Sequence, residues 1–95
     1  MKINEKEIEN YLVDAVKAIG GMVRKIKFVN RRGCPDRLVI HNGSHFVELK
    51  RPKGGKLSKL QEREIETMRE HGASVHVINT KALVDKFIEW CRDDA

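Results

Sequence analysis

Three residues of this 95-residue chain have types and spacing suited to chemistry at a phosphodiester: Asp36, Glu48 and Lys50. Glu48 and Lys50 are two apart in a run, His45 to Lys50, that reads as a strand. Both side chains therefore leave one face while Val47 and Leu49 pack on the other. Asp36 opens a preceding run, Asp36 to His41, and the Asn42-Gly43 pair between the two runs is a strong hairpin signal. If residues 42 and 43 form a two-residue turn, facing positions sum to 85 and Asp36 lies opposite Leu49, next to Glu48.

Two carboxylates at one place repel unless positive charge sits between them. Mg2+ suits that position, because it binds through one or two carboxylates, keeps several waters and shares phosphate oxygens. Such a cation acidifies water and draws charge from the phosphoryl oxygens. Lys50 would then either stabilise charge on the pentavalent transition state or position the attacking water. A lysine beside two acids is expected to stay charged, which favours the first role.

The elements that must hold these residues can be read from caps and periodicity. Asn4 with Glu7 starts a helix over about residues 5 to 19, stopped by Gly20-Gly21. Ile8, Tyr11, Leu12, Ala15, Val16 and Ile19 form its buried stripe, with Glu5 inside the stripe and Glu9 at its edge. Met22 to Val29 alternates as a strand and residues 30 to 35 form a loop. Ser58 caps a second helix to about His71, with Gln61 three residues after the cap and Leu60, Ile65 and Met68 defining a buried arc that includes Gln61. Ala73 to Asn79 reads as a fourth strand, and Thr80 caps a last helix carrying Leu83, Val84, Phe87, Ile88 and Trp90 inward. The order αβββαβα predicts an α/β fold in which a mixed, partly antiparallel central sheet is flanked by helices. At this length, residues 1–95 are expected to form one domain.

Charge is concentrated in the middle of the chain. Between Arg24 and Lys59 there are eleven basic residues against two acids, a net +9, whereas the remainder carries −4. Such a segment suits a polyanion such as nucleic acid. No apolar run approaches the roughly 20 residues of a membrane span, and the N-terminus lacks the apolar region of a secretory signal. A cytoplasmic location without membrane attachment is expected. Cys34 and Cys91 have no CxxC partner, so neither a zinc site nor a disulfide framework is suggested; Cys91 reads as helix core and Cys34 as a loop residue.

The Pro35-Asp36 pair followed by Glu48-Leu49-Lys50 resembles the PD-(D/E)XK nuclease signature. Gly33-Cys34-Pro35-Asp36-Arg37, Phe46-Val47-Glu48-Leu49-Lys50 and Leu57-Ser58-Lys59-Leu60-Gln61, in that order, resemble the VRR-NUC domain of phage proteins and larger DNA-repair nucleases. The resemblance covers nearly the whole chain and implies a restriction-endonuclease-like fold. It implies Asp36 and Glu48 as metal ligands, the Leu49 carbonyl as a further one, Lys50 as catalytic, and roles for Gln61 and for a first-helix acid best matched by Glu5, with Glu9 as the alternative. It also implies Mg2+ or Mn2+ as cofactor, a stand-alone viral form in the host cytoplasm, branched or otherwise structured DNA as substrate, and a Holliday-junction-resolvase-like homodimer.

Each residue also has a plain structural reading. Pro-Asp is usually a turn and Glu-x-Lys a solvated strand face. Against this, the only two acids of the +9 segment are the proposed ligands. Gln61 could serve only the capping box, and Glu5 only the helix dipole. Arg31, Arg32, Arg51, Lys53 and Lys56 are expected to contact phosphates. The four histidines show no metal-ligand spacing and read as surface or strand residues, and Trp90 reads as core or dimer interface. The main rival is a non-catalytic nucleic-acid-binding module of the same fold. A pure binder, however, has no reason to set acids against phosphates. A third reading is a structural subunit docking an acidic protein through its basic face.

Overall fold

The computed structural model describes residues 3–93. Asn4 caps helix α1 (Glu5–Ala18), its side chain accepting the Glu7 N–H at 2.9 Å. Four strands follow the order of the sequence: β1 (Met22–Lys25), β2 (Arg37–Ile40) and β3 (Ser44–Leu49) form an antiparallel meander, and β4 (Val75–Ile78) joins β3 in parallel. A parallel neighbour needs a crossover, supplied by α2 (Lys59–Glu70). Helix α3 (Lys81–Asp93) closes the chain, with the Thr80 hydroxyl accepting the Leu83 N–H at 3.0 Å.

The core lies on one face of the sheet. Ile8, Leu12 and Val16 of α1 and Val84, Phe87 and Cys91 of α3 bury against Val39, Val47, Leu49 and Ile78. Strand alternation sends Phe46 and Glu48 to the opposite face, where α2 packs through Ile65. One face of the sheet is thus spent on stability, and the other has room for a site.

The hairpin differs from the expected two-residue turn. Ile40 pairs with Ser44 and Arg37 with Val47, so the loop is His41-Asn42-Gly43 and facing positions sum to 84. The His41 N–H donates to the Gly43 carbonyl at 3.0 Å, and Asn42 and Gly43 both have positive φ, 50° and 124°. A third loop residue moves the register by one. Continued one step beyond β2, it sets Asp36 across from Glu48 rather than Leu49, so that both carboxylates belong to the same sheet face.

Strand β1 stops at Lys25 instead of Val29. The Ile26 N–H still donates to the Asp36 carbonyl at 2.9 Å, but the next partner residue is Pro35, which has no N–H to give. Phe28 turns onto Phe46, ring centroids 6.0 Å apart, and Val29 is exposed. Leu60, Leu83 and Trp90, expected inward, are each more than a third exposed. In α3 the inward row is Val84, Phe87 and Cys91, and Trp90 sits at its edge against His45 and His76. His45 is one of the strand histidines, buried in β3 with Nδ1 2.9 Å from the Ser74 hydroxyl, which in turn lies 2.8 Å from His76 Nε2. Burial, the charge of His45 and that of Arg69 push His76 down to about 4, so this cluster is neutral in His76 at physiological pH.

The loop into β2 depends on Gly33. Its φ is +81°, and a Cβ there would stand 2.9 Å from the Leu60 carbonyl. Gly33→Ala combines a left-handed backbone with a backbone clash and is expected to destabilise the fold by about 1–3 kcal/mol. In thermal denaturation the midpoint should drop by at least about 4 °C. An unchanged midpoint would show that the loop and α2 are not packed in this way.

Candidate active site

The site forms where β2 begins, β3 ends and α2 and α1 start. Asp36 lies one residue before β2 and Lys50 one residue after β3, yet both backbones remain anchored to the sheet. The Asp36 carbonyl accepts from Ile26, and the Lys50 N–H donates to Ile78 at 3.0 Å. Leu49 packs its side chain into the core, which puts its peptide between Glu48 and Lys50 at the strand end.

Glu48 is 7% exposed, low for a carboxylate. Lys50 Nζ is 3.5 Å from its Oε2, and the Gln61 side-chain amide donates to the same oxygen at 3.1 Å. Both contacts fall on Oε2, so Oε1 carries neither. Gln61 also completes the capping box: its Oε1 accepts the Ser58 N–H at 2.9 Å, while Ser58 Oγ accepts the Gln61 N–H at 3.1 Å. The two readings of Gln61 are therefore one arrangement. With the amide oxygen committed to the helix cap, the amide nitrogen is turned towards Glu48.

Asp36 is half exposed and meets Arg37 Nη1 at 3.0 Å through Oδ2. Burial, then the negative charge of Glu5, push its carboxyl above the ordinary carboxylate range, against the pull of Lys25 and Lys50. The Arg37 guanidinium also pairs with Glu9. Glu48 is also pushed up, by burial first and by the charge of Asp36 second, with Lys50 opposing and Glu5 adding. The two carboxyls, both pushed up, form a pair short of counter-charge.

The first-helix acids divide. Glu9 pairs with Arg37, and its other oxygen accepts from Lys6 at 2.7 Å. Glu5 instead lines an open groove of about 560 Å³ with Asn4, Lys6, Lys50, Arg51 and Lys56. The groove wall is shaped by Gly55, where a Cβ would come within 2.4 Å of the Arg51 carbonyl. The loop consequently doubles back and brings Lys56 to the same groove as Arg51.

The donors present are carboxylate and carbonyl oxygens, which fit a hard cation. Among the described residues no group of three or more His, Cys, Asp or Glu side chains converges as a metal cage, so Glu5 does not close a third side of the Asp36–Glu48 pair. Two carboxylates with a nearby carbonyl suit Mg2+ or Mn2+, and do not suit a structural zinc site.

Of the basic residues expected at phosphates, Arg51 and Lys56 line the groove, while Arg32 and Lys53 are exposed outside its lining. Arg31 is engaged by Glu64, Nε at 3.1 Å and Nη2 at 2.5 Å, and this pairing holds Glu64 below the carboxylate range. Burial, then the charge of Glu64, push the Cys34 thiol up, which keeps it a thiol. In the sequence Arg37 is one of the eleven basic residues of the +9 segment with no role of its own, and Lys6 has none. Arg37 could have been found from its place next to Asp36, on the opposite strand face, with Glu9 at the edge of the α1 stripe.

No family profile matches the chain. It is 42% identical over 83 residues to "Putative nuclease p44" of Acyrthosiphon pisum secondary endosymbiont phage 1, covering 85% of this chain and 88% of that protein. A solved structure described as a VRR-NUC domain superposes with a TM-score of 0.81 at 39% identity, covering 90% of this chain and 94% of the other. With the αβββαβα order, the mixed sheet and the matching residues in place, the chain belongs to the VRR-NUC domain family.

Proposed function

We propose that this chain is a metal-dependent DNA endonuclease, residues 1–95 acting as one nuclease domain. The observation that carries the proposal is Glu48: a buried carboxylate across from Asp36, held between Gln61 and Lys50, which itself lines a basic groove. The likeness to a VRR-NUC domain supports it.

In this reading Asp36 and Glu48, with the Leu49 carbonyl, hold Mg2+ or Mn2+. The cation supplies charge withdrawal from the phosphoryl oxygens and acidifies water. Lys50 points its ammonium at the same place and stabilises the extra negative charge on phosphorus as the nucleophile adds. Gln61 keeps Glu48 in one orientation, so that Oε1 faces outward. Glu5 adds negative charge from the groove wall, which favours cation binding and discourages entry of phosphate without a cation. Arg51 and Lys56 in the groove, with Arg31, Arg32 and Lys53 nearby on the surface, are assigned to the phosphates of the bound strand. Arg31 must leave Glu64 to take part.

Branched or otherwise structured DNA is the proposed substrate and a homodimer the proposed assembly, since a two-fold pair can place two sites on a symmetric junction. No described helix is long and apolar enough to cross a membrane.

Labelled four-way junction, flap and linear duplex DNA incubated with Mg2+, Mn2+ or EDTA test the reading. Cleavage should require the metal, rank the junction first, and fall at least about 100-fold in Lys50→Ala and Asp36→Ala. Tight binding without cleavage of any substrate would support the binding-module reading instead. In sedimentation the protein should run at twice its 10.9 kDa chain mass; a monomer at working concentration would remove the dimer.

The pH dependence follows from the raised carboxyls. Asp36 and Glu48 act as anions, and their protons leave above the ordinary values of 3.8 and 4.5. Cleavage should therefore fall on acidification at a higher pH than ordinary carboxylates would give. Metal-free stability runs the other way. The folded state binds more protons than the unfolded one between the ordinary and raised values, so stability falls as pH rises through that window. In EDTA at pH 7, Glu48→Gln should raise the thermal midpoint, and in Mg2+ the same variant should not cleave. A lowered midpoint would mean that Glu48 is a stabilising partner of Lys50 rather than a strained anion.

A further inference from the structure

Arg37 is the one Lys or Arg among the described residues that is buried, at 8% exposure. It lies on β2 directly after Asp36, and strand alternation gives it the core face, where a bare charge is costly. Both terminal nitrogens of its guanidinium are engaged at the active-site end of the sheet. Nη1 donates to the Asp36 backbone carbonyl at 3.2 Å and lies 3.0 Å from Asp36 Oδ2. Nη2 pairs with Glu9 of α1. It is not among the residues that line the groove.

The geometry points to Arg37 as a positioning residue for the metal centre, clamping Asp36 to the Glu9 carboxylate of α1 so that Oδ1 stays turned to the cation and Glu5 stays at the groove. The inference rests on the metal-nuclease reading above and adds to it a residue that touches neither substrate nor metal.

Three features support it. First, Asp36 precedes β2 and is half exposed, so sheet pairing fixes its backbone but not its carboxylate; the guanidinium does that through one oxygen only. Second, Glu5 and Glu9 are one helical turn apart on α1 and share a face. Holding Glu9 against β2 therefore fixes where Glu5 stands. Third, Glu9 balances the charge of Arg37, so the pair orients Asp36 while adding little net positive charge beside the cation. The planar fork is needed for this, since one ammonium cannot serve a carboxylate on each side with the same geometry.

Direct Mn2+ binding, read from the EPR signal of free Mn2+ without DNA, separates the roles. It is measured on wild type, Lys50→Ala, Arg37→Lys and Arg37→Gln, well below each thermal midpoint and with the fold checked by circular dichroism. Positioning predicts that Arg37→Lys and Arg37→Gln each weaken Mn2+ binding by about tenfold or more, as loss of outer-shell partners does elsewhere. Charge alone predicts unchanged binding for Arg37→Lys and tighter binding for Arg37→Gln, because a cation beside the ligand is removed. A role in stability alone lowers the midpoint and leaves Mn2+ binding by the folded protein unchanged. Either of those two results overturns the inference. Arg37→Lys keeps the buried charge and decides the matter if Arg37→Gln does not fold. Wild type and Lys50→Ala that both bind no Mn2+ would overturn the metal-nuclease reading itself, and this inference with it.

Discussion

Asp36 and Glu48 face each other across the first residue pair beyond a hairpin, and each is a worse anion for being there. Burial removes water from both, and Asp36 raises Glu48 further through its charge. Most of the surrounding structure either imposes that closeness or moderates it. The antiparallel pairing of β2 and β3 imposes it, and the three-residue loop at the far end sets the register that makes it face to face. Lys50 and Gln61 moderate it at Glu48, and Lys25 and Lys50 do so at Asp36. The remaining deficit of positive charge is what a divalent cation would fill.

The fold divides its labour along the two faces of one sheet. Helices α1 and α3 bury the apolar residues of β2, β3 and β4 on the core face. Asp36 and Glu48 alternate onto the other face, where the start of α2 brings Gln61 to Glu48. Helix ends carry the rest of the site. The Ser58 cap of α2 orients Gln61, the first turn of α1 presents Glu5, and one turn later Glu9 fastens that helix to β2. Capping and site geometry are therefore coupled: weakening the cap of α2 loosens the amide that holds Glu48.

Much of this was legible in the sequence because the signals were local. The Asn4, Ser58 and Thr80 caps and the stripe of α1 depend on neighbours within a turn, and each is found where periodicity put it. The juxtaposition of Asp36 with Glu48 was legible because Asn42-Gly43 demands a hairpin, but the exact partner was not. A two-residue and a three-residue loop differ only in whether His41 pairs, and nothing local to His41 decides that. Contacts made over long separations were missed. Arg37 meets Glu9 across 28 residues, and Arg31 meets Glu64 across 33, so neither ion pair could be read from the basic segment. Whether His45 was a surface or a buried strand residue was not legible, because the shelter it receives comes from Trp90 and Phe87 of the last helix.

The central claim is that a divalent cation belongs between Asp36 and Glu48. The most direct measurement is anomalous diffraction from crystals of the protein grown with Mn2+. The account predicts a manganese peak in contact with the carboxylates of Asp36 and Glu48 and the carbonyl of Leu49. A peak elsewhere, or an empty position between the two carboxylates at saturating Mn2+, would contradict it.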